Sequence, residues 1–565
     1  MKIAILSTFT IQMILPKLKE LSEKDGFNHE IKIFVSYNLC SKELTDNQSE
    51  IYQFAPDVLF LFIDLDSLIP EYLDLVKIKS EERRKVIDLK FSYLLAIVEK
   101  FTKERPASTI IIHNFSVPSY SPLGIADNRE AVGLQRSIQD LNRRMEDYFK
   151  DNNSVLVFDY DGFTGSYGKK NIIDRRLYFL ADIKIKAEYL ELLAKNYLNY
   201  INSLLGKSKK CLVLDLDNTL WGGIIGEDSP SNLKLGPNPP GNAYLEFQKV
   251  LLSLFNKGIL LTINSKNNFD DAIKVIREHP QMVLKEKNFS AIRINWQDKA
   301  TNIREIAEEL NIGTNSMVFI DDDQYNRMLV KSVLPEVLTV DISNDPTMYA
   351  DIIKELMVFD TANLTQEDKV RSKLYAEERE RRELQHNLSD FNDFLQELKM
   401  EITIGKADES TIPRISQLTQ KTNQFNLTTR RYSEAEIKSL ASNTNSAVYH
   451  IHSKDRLGDA GIVGCAIINI ENDSATIDTF LISCRVLGRK IEDALLHHLI
   501  SEAKNRGVKA IIGSYLPTKK NAQTQNFYKH HGFDLLEESA DQVLWILNVE
   551  NYNSTWPEFI KININ

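Results

Sequence analysis

The amino-acid sequence predicts a multidomain α/β protein, and three observations carry that prediction. Short apolar runs alternate with helical stretches through residues 1–362, the pattern of parallel strands layered with helices. Beyond residue 399 the pattern changes to longer apolar–polar alternation around helices, as in an α+β domain with antiparallel strands. A chain of 565 residues also exceeds what one hydrophobic core organises.

Residues 1–205 form the first segment, with predicted strands in KIAILST, EIKIFVS, DVLFLFID, STIIIHNF and SVLVFDY. Its opening, Ile3 to Pro16, is apolar enough to suggest a signal-peptide core. It has Lys2 as its charged start, lacks a small-residue cleavage site and runs into the polar stretch Lys17–Lys24. A strand followed by an amphipathic helix describes it better. Residues 206–362 repeat the strand–helix alternation through CLVLDLD, ILLTINS, AIRINW, SMVFIDD and VLTVDI. Residues 363–398 hold a charged helix whose EERERRE run reads as a solvated linker. Residues 399–565 supply EITIGK, GIVGCAIINI, SATIDTFLIS, a helix from Glu492 to Arg506, KAIIGSY and a terminal VLWILNV strand.

The net charge of −10 argues against nonspecific nucleic-acid binding and against an anionic membrane surface. No apolar run reaches the length of a membrane span. Four scattered cysteines, Cys40, Cys211, Cys465 and Cys484, form no CxxC pair and suit a reducing compartment. The expected location is the cytoplasm, with neither nucleic acid nor membrane as partner.

CLVLDLDNTL places Asp215 and Asp217 just past an apolar run. Strand alternation turns both to one side, at the carboxyl end where open α/β sheets build their sites. Two carboxylates so close repel each other, and an oxygen-seeking Mg²⁺ relieves the cost. SMVFIDDD ends another strand with Asp321, Asp322 and Asp323, which add oxygen ligands. Capping of strands or helices explains one such run more readily than two. ILLTINSKN brings Ser265, whose hydroxyl suits a phosphate oxygen, and INWQDKATNI brings Lys299, whose ammonium suits a phosphate beside a carboxylate nucleophile.

In this order the pieces resemble the four motifs of the haloacid-dehalogenase (HAD) superfamily: DxDxT, Ser/Thr, Lys and DD. The resemblance implies a HAD-like Rossmannoid parallel sheet. Asp215 is then the nucleophile that forms an aspartyl-phosphate, and Asp217 the general acid and base. Mg²⁺ is expected on Asp215, Asp217 (through its backbone carbonyl) and Asp321 or Asp322. Ser265 and Lys299 complete the catalytic set, with Thr219 and Asn264 toward the substrate. Having Asp217 as well as Asp215 favours phosphoryl transfer over dehalogenation. The stretch from Trp221 to Tyr244 is too short and loop-like for a large cap, so the site is open to a bulky substrate or closed by another domain.

LDLDNTLWGGIIGED, AYLEFQ, INSKNN, DKATNI, FIDDD and TQKTNQFNLTTRRY (Thr419–Tyr432) together resemble FkbH-like proteins. Asp323 departs from the asparagine expected there. The resemblance implies an enzyme that takes a glyceryl unit from 1,3-bisphosphoglycerate, removes phosphate and delivers the unit as a thioester to an acyl carrier protein, feeding polyketide-type biosynthesis. The last segment resembles an N-acetyltransferase (GNAT-like) domain: NAQTQNFYKHHGF offers Tyr528 as general acid, and RVLGRK resembles a pyrophosphate-cradling loop with Arg485, Gly488 and Arg489. Lys490 stands where that pattern wants Gly or Ala, which fits a phosphopantetheine arm at least as well as acetyl-CoA. Cys484, beside Arg485 and Arg489, is either a thiolate that accepts the acyl group or a buried inert cysteine, and the family context favours the thiolate. Cys211 and Cys465 read as core. His450 and His452 alternate on one strand, as a base for thiol transfer or as solvent-facing residues. Asn423, Asn426, Arg430 and Arg431 bind a substrate phosphate or pack two domains together.

The first segment weakly resembles SGNH-hydrolase-like folds, through Ser7 after one strand and Asn114 after another. It lacks a DxxH partner (Asp174 stands without a histidine), so a docking or structural module is expected. The expected function is thus a bifunctional glyceryl transferase and phosphatase. The alternative is a Mg²⁺-dependent phosphatase acting on another small phosphate ester, its GNAT-like domain noncatalytic. An N-acyltransferase and a noncatalytic scaffold fit less well.

Overall fold

The computed structural model describes the chain apart from residues 27, 37–39, 228–231, 363, 365, 389, 472, 519, 540 and 553–554, and apart from the side chains of 366, 367, 386, 387, 421 and 484. It divides into two compact units, Met1–Lys209 with Ile353–Leu364, and Lys210–Ile352 with Thr365–Asn565.

The first unit carries β1 (Lys2–Ser7), β2 (Glu30–Val35), β3 (Val58–Phe62), β4 (Thr109–His113) and β5 (Val155–Phe158), all parallel, in the order β2-β1-β3-β4-β5. Every residue of β3 is buried, because helices cover both faces of the sheet. Alternation splits the strand between two cores. Leu59 and Leu61 join the side packed by the helix Ser80–Glu104, whereas Val58, Phe60 and Phe62 join the side packed by Ala187–Leu204. Residues 353–364, assigned from sequence to the central segment, pack with this unit instead. There Lys209 N donates to Val358 O at 2.8 Å and Asn199 Nδ2 to Asp360 Oδ2 at 3.3 Å. Cys40, expected in a polar loop, is fully buried in the core.

The second unit opens with β6 (Cys211–Leu214), β7 (Leu260–Ser265), β8 (Phe289–Ile294), β9 (Met317–Ile320) and β10 (Leu338–Thr339), parallel and ordered β10-β9-β6-β7-β8. It closes with β11 (Glu401–Lys406), β12 (Phe425–Asn426), β13 (Ser446–Asp455), β14 (Gly458–Glu471), β15 (Ser474–Ile482), β16 (Ala510–Tyr515), β17 (Asp534–Glu538), β18 (Val543–Asn548) and β19 (Lys561–Ile564). These form a mixed sheet ordered β17-β18-β16-β15-β14-β13-β11-β19, with β12 paired to β15. Most neighbours are antiparallel, but β15 and β16 run parallel and pair only over Ser474–Ile477. Cys211 and Cys465 are buried, and burial pushes both thiols up to about 12.

The helix Gln366–Asn387 corrects the expectation of a solvated linker. Arg379 and Arg381 are each 4% exposed and Ala376 2%. Arg381 grips Asp455 with both arms, at 2.7 and 2.9 Å, while Arg382 reaches Glu309 at 3.0 Å. Arg381 and Arg382 thus find acidic partners on either side of the helix.

Candidate active site

The phosphoryl site grows from the carboxyl ends of β6, β7 and β9. Asp215 N donates to Ile320 O at 3.0 Å, which continues the β6–β9 ladder and brings Asp215 beside Asp321. Lys299 begins the helix Lys299–Leu310, whose N-cap Asp298 accepts from Thr301 N at 2.9 Å. Its ammonium lies 2.7 Å from Asp215 Oδ1, 3.0 Å from Asp321 Oδ2 and 2.7 Å from Asn264 O. Burial opposes the charge of Lys299, but Asp215 and Asp321 outweigh it and raise its pKa.

Asp215, Asp321 and Asp322 each bring a carboxylate oxygen within 4.8 Å of the others. Burial, then Asp215, raises the pKa of Asp321, and burial with both neighbours lifts Asp322 to about 7. Three converging acids facing one lysine leave an excess of negative charge, and the all-oxygen donor set fits Mg²⁺. Beside it the buried Thr219 Oγ1 has no hydrogen-bond partner among the described residues, leaving an oxygen for a ligand.

The Asp217 carboxylate stands outside that cluster. It accepts from Trp221 Nε1 and Asn267 Nδ2, each at 3.0 Å, and from Ile225 N at 3.2 Å. Burial nevertheless raises its pKa, as an acid that must hold a proton requires. Ser265 is buried, and its hydroxyl accepts from Asn267 Nδ2 at 3.2 Å. Asn264 is not placed to touch substrate: its Nδ2 donates to Lys299 O at 2.9 Å and its Oδ1 accepts from Asn302 at 3.0 Å, so it positions the lysine.

Sequence reasoning missed Trp221, Asn267, Asn326 and Arg327 as parts of the site. Asn326 Nδ2 lies 3.2 Å from Asp321 Oδ2, and Arg327 Nη1 donates to the carbonyls of Asp321 and Asp322 at 2.7 and 2.6 Å. Their signal was proximity to the acidic motifs. Among the described residues, no helix or regular strand lies between β6 and the helix Gly241–Lys257, as expected of a site without a large cap there.

In the C-terminal domain the expectations fare differently. Arg489 is spent on structure: its Nη2 donates to Glu378 at 2.5 Å and to Arg485 O at 2.8 Å, so it does not face a pyrophosphate. Gly488 takes a φ of 75° and Lys490 one of 65°, turning the chain into the helix Ile491–Asn505. Tyr528, expected as general acid, is 1% exposed, packs against Gly513 in β16 and has no partner for its hydroxyl among the described residues. Burial holds that phenol far above its usual range. Cys484 opens the turn Cys484–Val486, and its side chain lies outside the described residues.

The Thr419–Tyr432 stretch largely bonds to itself. Arg431 Nη2 donates to Asn423 Oδ1 at 2.5 Å, and Asn426 Oδ1 accepts from Thr429 N at 2.8 Å. Arg430 pairs with Asp478. Arg430, Arg431 and Asn426 therefore build the loop rather than a phosphate site. His450 is half-buried, with its pKa lowered by burial, and His452 lies 3.0 Å from Asp459.

The C-terminal domain docks away from the phosphoryl site. Tyr375 of the linking helix packs against the cluster that includes Cys211, Leu260 and Met317, which begin β6, β7 and β9, and Ser372 Oγ donates to Phe255 O at 2.5 Å. Asp215, Ser265 and Asp321 lie at the other strand ends. The helix Lys299–Leu310 spans that separation, roughly 18 Å at 1.5 Å per residue.

In the first unit, Ser7 is buried, with its hydroxyl accepting from Phe9 N at 3.2 Å. Asn114 Nδ2 donates to Asp159 at 2.8 Å, and Asp174 caps a helix through Leu177 N at 2.9 Å. His113 is committed to Leu61 O at 3.0 Å and Tyr197 Oη at 2.7 Å, and burial depresses it to about 3. The described residues bring no serine–histidine–acid set together.

A parallel sheet with converging acids and a buried lysine at its carboxyl edge, joined to a mixed sheet with a parallel β15–β16 pair, defines a HAD-like domain coupled to a GNAT-like one. Residues 2–202 match the FkbH N-terminal domain and residues 412–533 the acetyltransferase (GNAT) family. A solved structure of the N-terminal part of protein BF1531 from Bacteroides fragilis, containing a phosphatase domain complexed with Mg, is 28% identical. It covers 64% of this chain and 94% of its own, with a TM-score of 0.59. The ribosomal-protein-S18-alanine N-acetyltransferase of Escherichia coli is 18% identical over 28% of this chain and 97% of its own, with a TM-score of 0.22. No curated protein matches the chain. No helix among the described residues is long and apolar enough to cross a membrane.

Proposed function

We propose that the chain is a bifunctional glyceryl transferase and phosphatase that loads a carrier protein. At the coarser level, the FkbH and GNAT matches and the Mg-bound phosphatase-domain neighbour support an enzyme of phosphatase and acyltransferase type. The observation that carries the phosphoryl half is the buried Lys299 bridging Asp215 and Asp321 beside Asp322.

In this reading an Asp215 oxygen attacks the phosphorus of a phosphate monoester and the P–O ester bond breaks. Asp217 protonates the leaving alkoxide and then takes a proton from the water that hydrolyses the aspartyl-phosphate. Lys299 balances the nucleophile and incoming phosphate, Ser265 and Thr219 offer hydroxyls to phosphate oxygens, and Asn264 and Asn302 hold the lysine in place. Asp215, Asp321 and Asp322 would hold Mg²⁺, which neutralises and orients the phosphoryl group.

In the acyl half, the Cys484 thiolate attacks the carbonyl carbon of the acyl phosphate. Its C–O bond breaks, phosphate leaves, and the thioester passes to a pantetheine thiol with release of the Cys484 thiolate. The separation between the strand-end acids and the C-terminal domain supports dephosphorylation of a diffusing or arm-borne substrate rather than of one still held on Cys484. Intact-protein mass spectrometry with 1,3-bisphosphoglycerate, Mg²⁺ and a pantetheinylated carrier tests this. An adduct that requires Cys484 and then moves to the carrier is expected, glyceryl if the diffusing substrate is dephosphorylated first and phosphoglyceryl if the phosphate is removed on the arm. Phosphate release without any adduct sinks the transferase half.

The second reading, a phosphatase with a noncatalytic GNAT-like domain, is favoured by Arg489 serving as a domain clamp and by the enclosed Tyr528 hydroxyl. Under it, Cys484→Ser leaves all activity unchanged.

A further inference from the structure

Among the described residues between β6 and β10, the two most exposed large apolar side chains are Trp296, at 71%, and Tyr325, at 70%. Both sit at the carboxyl edge of the sheet, on the same side as Asp215. Trp296 stands just past β8, and Tyr325 lies in the first turn of the helix Gln324–Val333 that follows β9. Phe269, 48% exposed, opens the helix Phe269–Glu278 just past β7, and the exposed Ile224 follows β6. Single exposed apolar residues need no explanation, but a group of them around a catalytic edge marks a surface that something covers.

Hydrogen bonds tie three of these side chains to the surroundings of Asp217. Trp296 Nε1 donates to Asn268 Oδ1 at 3.3 Å, and Asn268 separates Phe269 from Asn267. Asn267 in turn donates to Asp217 Oδ2 at 3.0 Å. The other oxygen, Asp217 Oδ1, accepts from Ile225 N at 3.2 Å, beside Ile224. In the proposed phosphoryl transfer the leaving oxygen takes its proton from Asp217 as its bond to phosphorus breaks, so the group attached to that oxygen lies along these segments. Trp296, Phe269 and Ile224 border the leaving group, whereas Tyr325 stands next to Asn326 and the acidic cluster. An indole and a phenyl ring present apolar faces. A free phosphorylated three-carbon acid, with its carboxylate and hydroxyl, has no apolar surface to set against them.

We infer that Trp296 and Phe269 are specificity residues of the phosphoryl site, which select a phosphate monoester whose leaving oxygen belongs to an extended group with apolar surface. This role rests on the phosphoryl chemistry proposed for Asp215 and Asp217, not on Cys484. Binding energy from parts of a substrate remote from the reacting bond speeds the reaction only of substrates long enough to reach it. Of the two timings open to the phosphatase step, the rings favour removal of phosphate from an acid still held on an arm.

The test is steady-state phosphate release by the full chain with Mg²⁺ from 3-phosphoglycerate, its pantetheine thioester and hexyl phosphate, in wild type, Trp296→Ala, Trp296→Phe and Phe269→Ala proteins. Wild type is expected to show a higher kcat/KM for at least one of the two longer esters than for 3-phosphoglycerate. Trp296→Ala and Phe269→Ala lower it for that ester about tenfold and leave 3-phosphoglycerate within about twofold, while Trp296→Phe keeps most of the preference. A loss confined to the thioester assigns the arm, a loss confined to hexyl phosphate assigns a plain alkyl group, and a loss on both assigns apolar surface in general. Because Trp296 is exposed, its variants keep the fold, which thermal unfolding checks. The inference is overturned if wild type prefers 3-phosphoglycerate, or if the variants lower all three substrates equally or none. Those results leave the phosphatase standing, whereas a wild type that releases phosphate from none of the three removes the phosphoryl reading and this role with it.

Discussion

Replacing Lys299 by methionine keeps the length of the side chain and removes its charge, leaving Asp215 and Asp321 without a buried counter-ion. The ammonium is 2.7 Å from one carboxylate and 3.0 Å from the other, and its side chain is 1% exposed. At an effective dielectric near 20 each contact is worth about 6 kcal/mol of gross attraction. Desolvation of the ions offsets most of it, and deleting one partner of such a buried pair costs about 3–5 kcal/mol. The prediction is therefore a fall of about that size in urea-unfolding stability without Mg²⁺. Because the remaining acids are then less compensated, Mg²⁺ stabilises Lys299→Met more than it stabilises wild type. Phosphatase turnover falls by roughly 10²–10³, the usual cost of removing a preorganised charge-stabilising group. A loss below about 1 kcal/mol, or Mg²⁺ stabilisation equal in the two proteins, would refute the reasoning, since both results require the acids not to be coupled through Lys299.

Asp217→Asn is expected to lower phosphate release by about 10²–10⁴ while leaving Mg²⁺ affinity within a fewfold, because its carboxylate lies outside the acidic cluster; steady-state release and metal titration read the two separately. Arg381→Ala is expected to cost about 3–5 kcal/mol in the unfolding of the C-terminal domain, and a double-mutant cycle with Asp455→Ala should show strong coupling. Tyr528→Phe should leave activity intact and stability unchanged or higher, since its hydroxyl is buried without a partner; a large drop in acyl transfer at unchanged stability contradicts this. Burial lifts Glu492 from 4.5 to about 7, so the folded protein binds the extra proton between those values. Its contribution to stability is full below pH 4.5 and is lost as pH rises through 7, and Glu492→Gln should gain up to about 3 kcal/mol over wild type at pH 8 in denaturant titrations.

The strands of both parallel sheets were legible because sheets covered on both faces leave continuous apolar runs, as in Val58–Phe62 and Cys211–Leu214. The acids and the lysine of the phosphoryl site were legible because strand-end placement is local. What escaped depends on contacts distant in sequence. The EERERRE helix looked solvated because Asp455 and Glu309, which receive Arg381 and Arg382, lie 74 and 73 residues away. Tyr528 looked available until Gly513, with no side chain of its own, allowed its ring to pack flush against β16. Arg489 looked like an anion ligand, but the linking helix supplies Glu378 to it. No motif announced that the C-terminal domain would dock at the strand ends opposite Asp215.

The central claim, phosphoryl chemistry at Asp215, is tested most directly by a crystal structure of the chain with Mg²⁺ and beryllium trifluoride, which mimics an aspartyl-phosphate. The account predicts the fluoride adduct on an Asp215 carboxylate oxygen, Mg²⁺ ligated by Asp215 together with Asp321 or Asp322, and Lys299 against a fluorine. Metal bound elsewhere, or an adduct absent at Asp215 when Mg²⁺ is present, would contradict it.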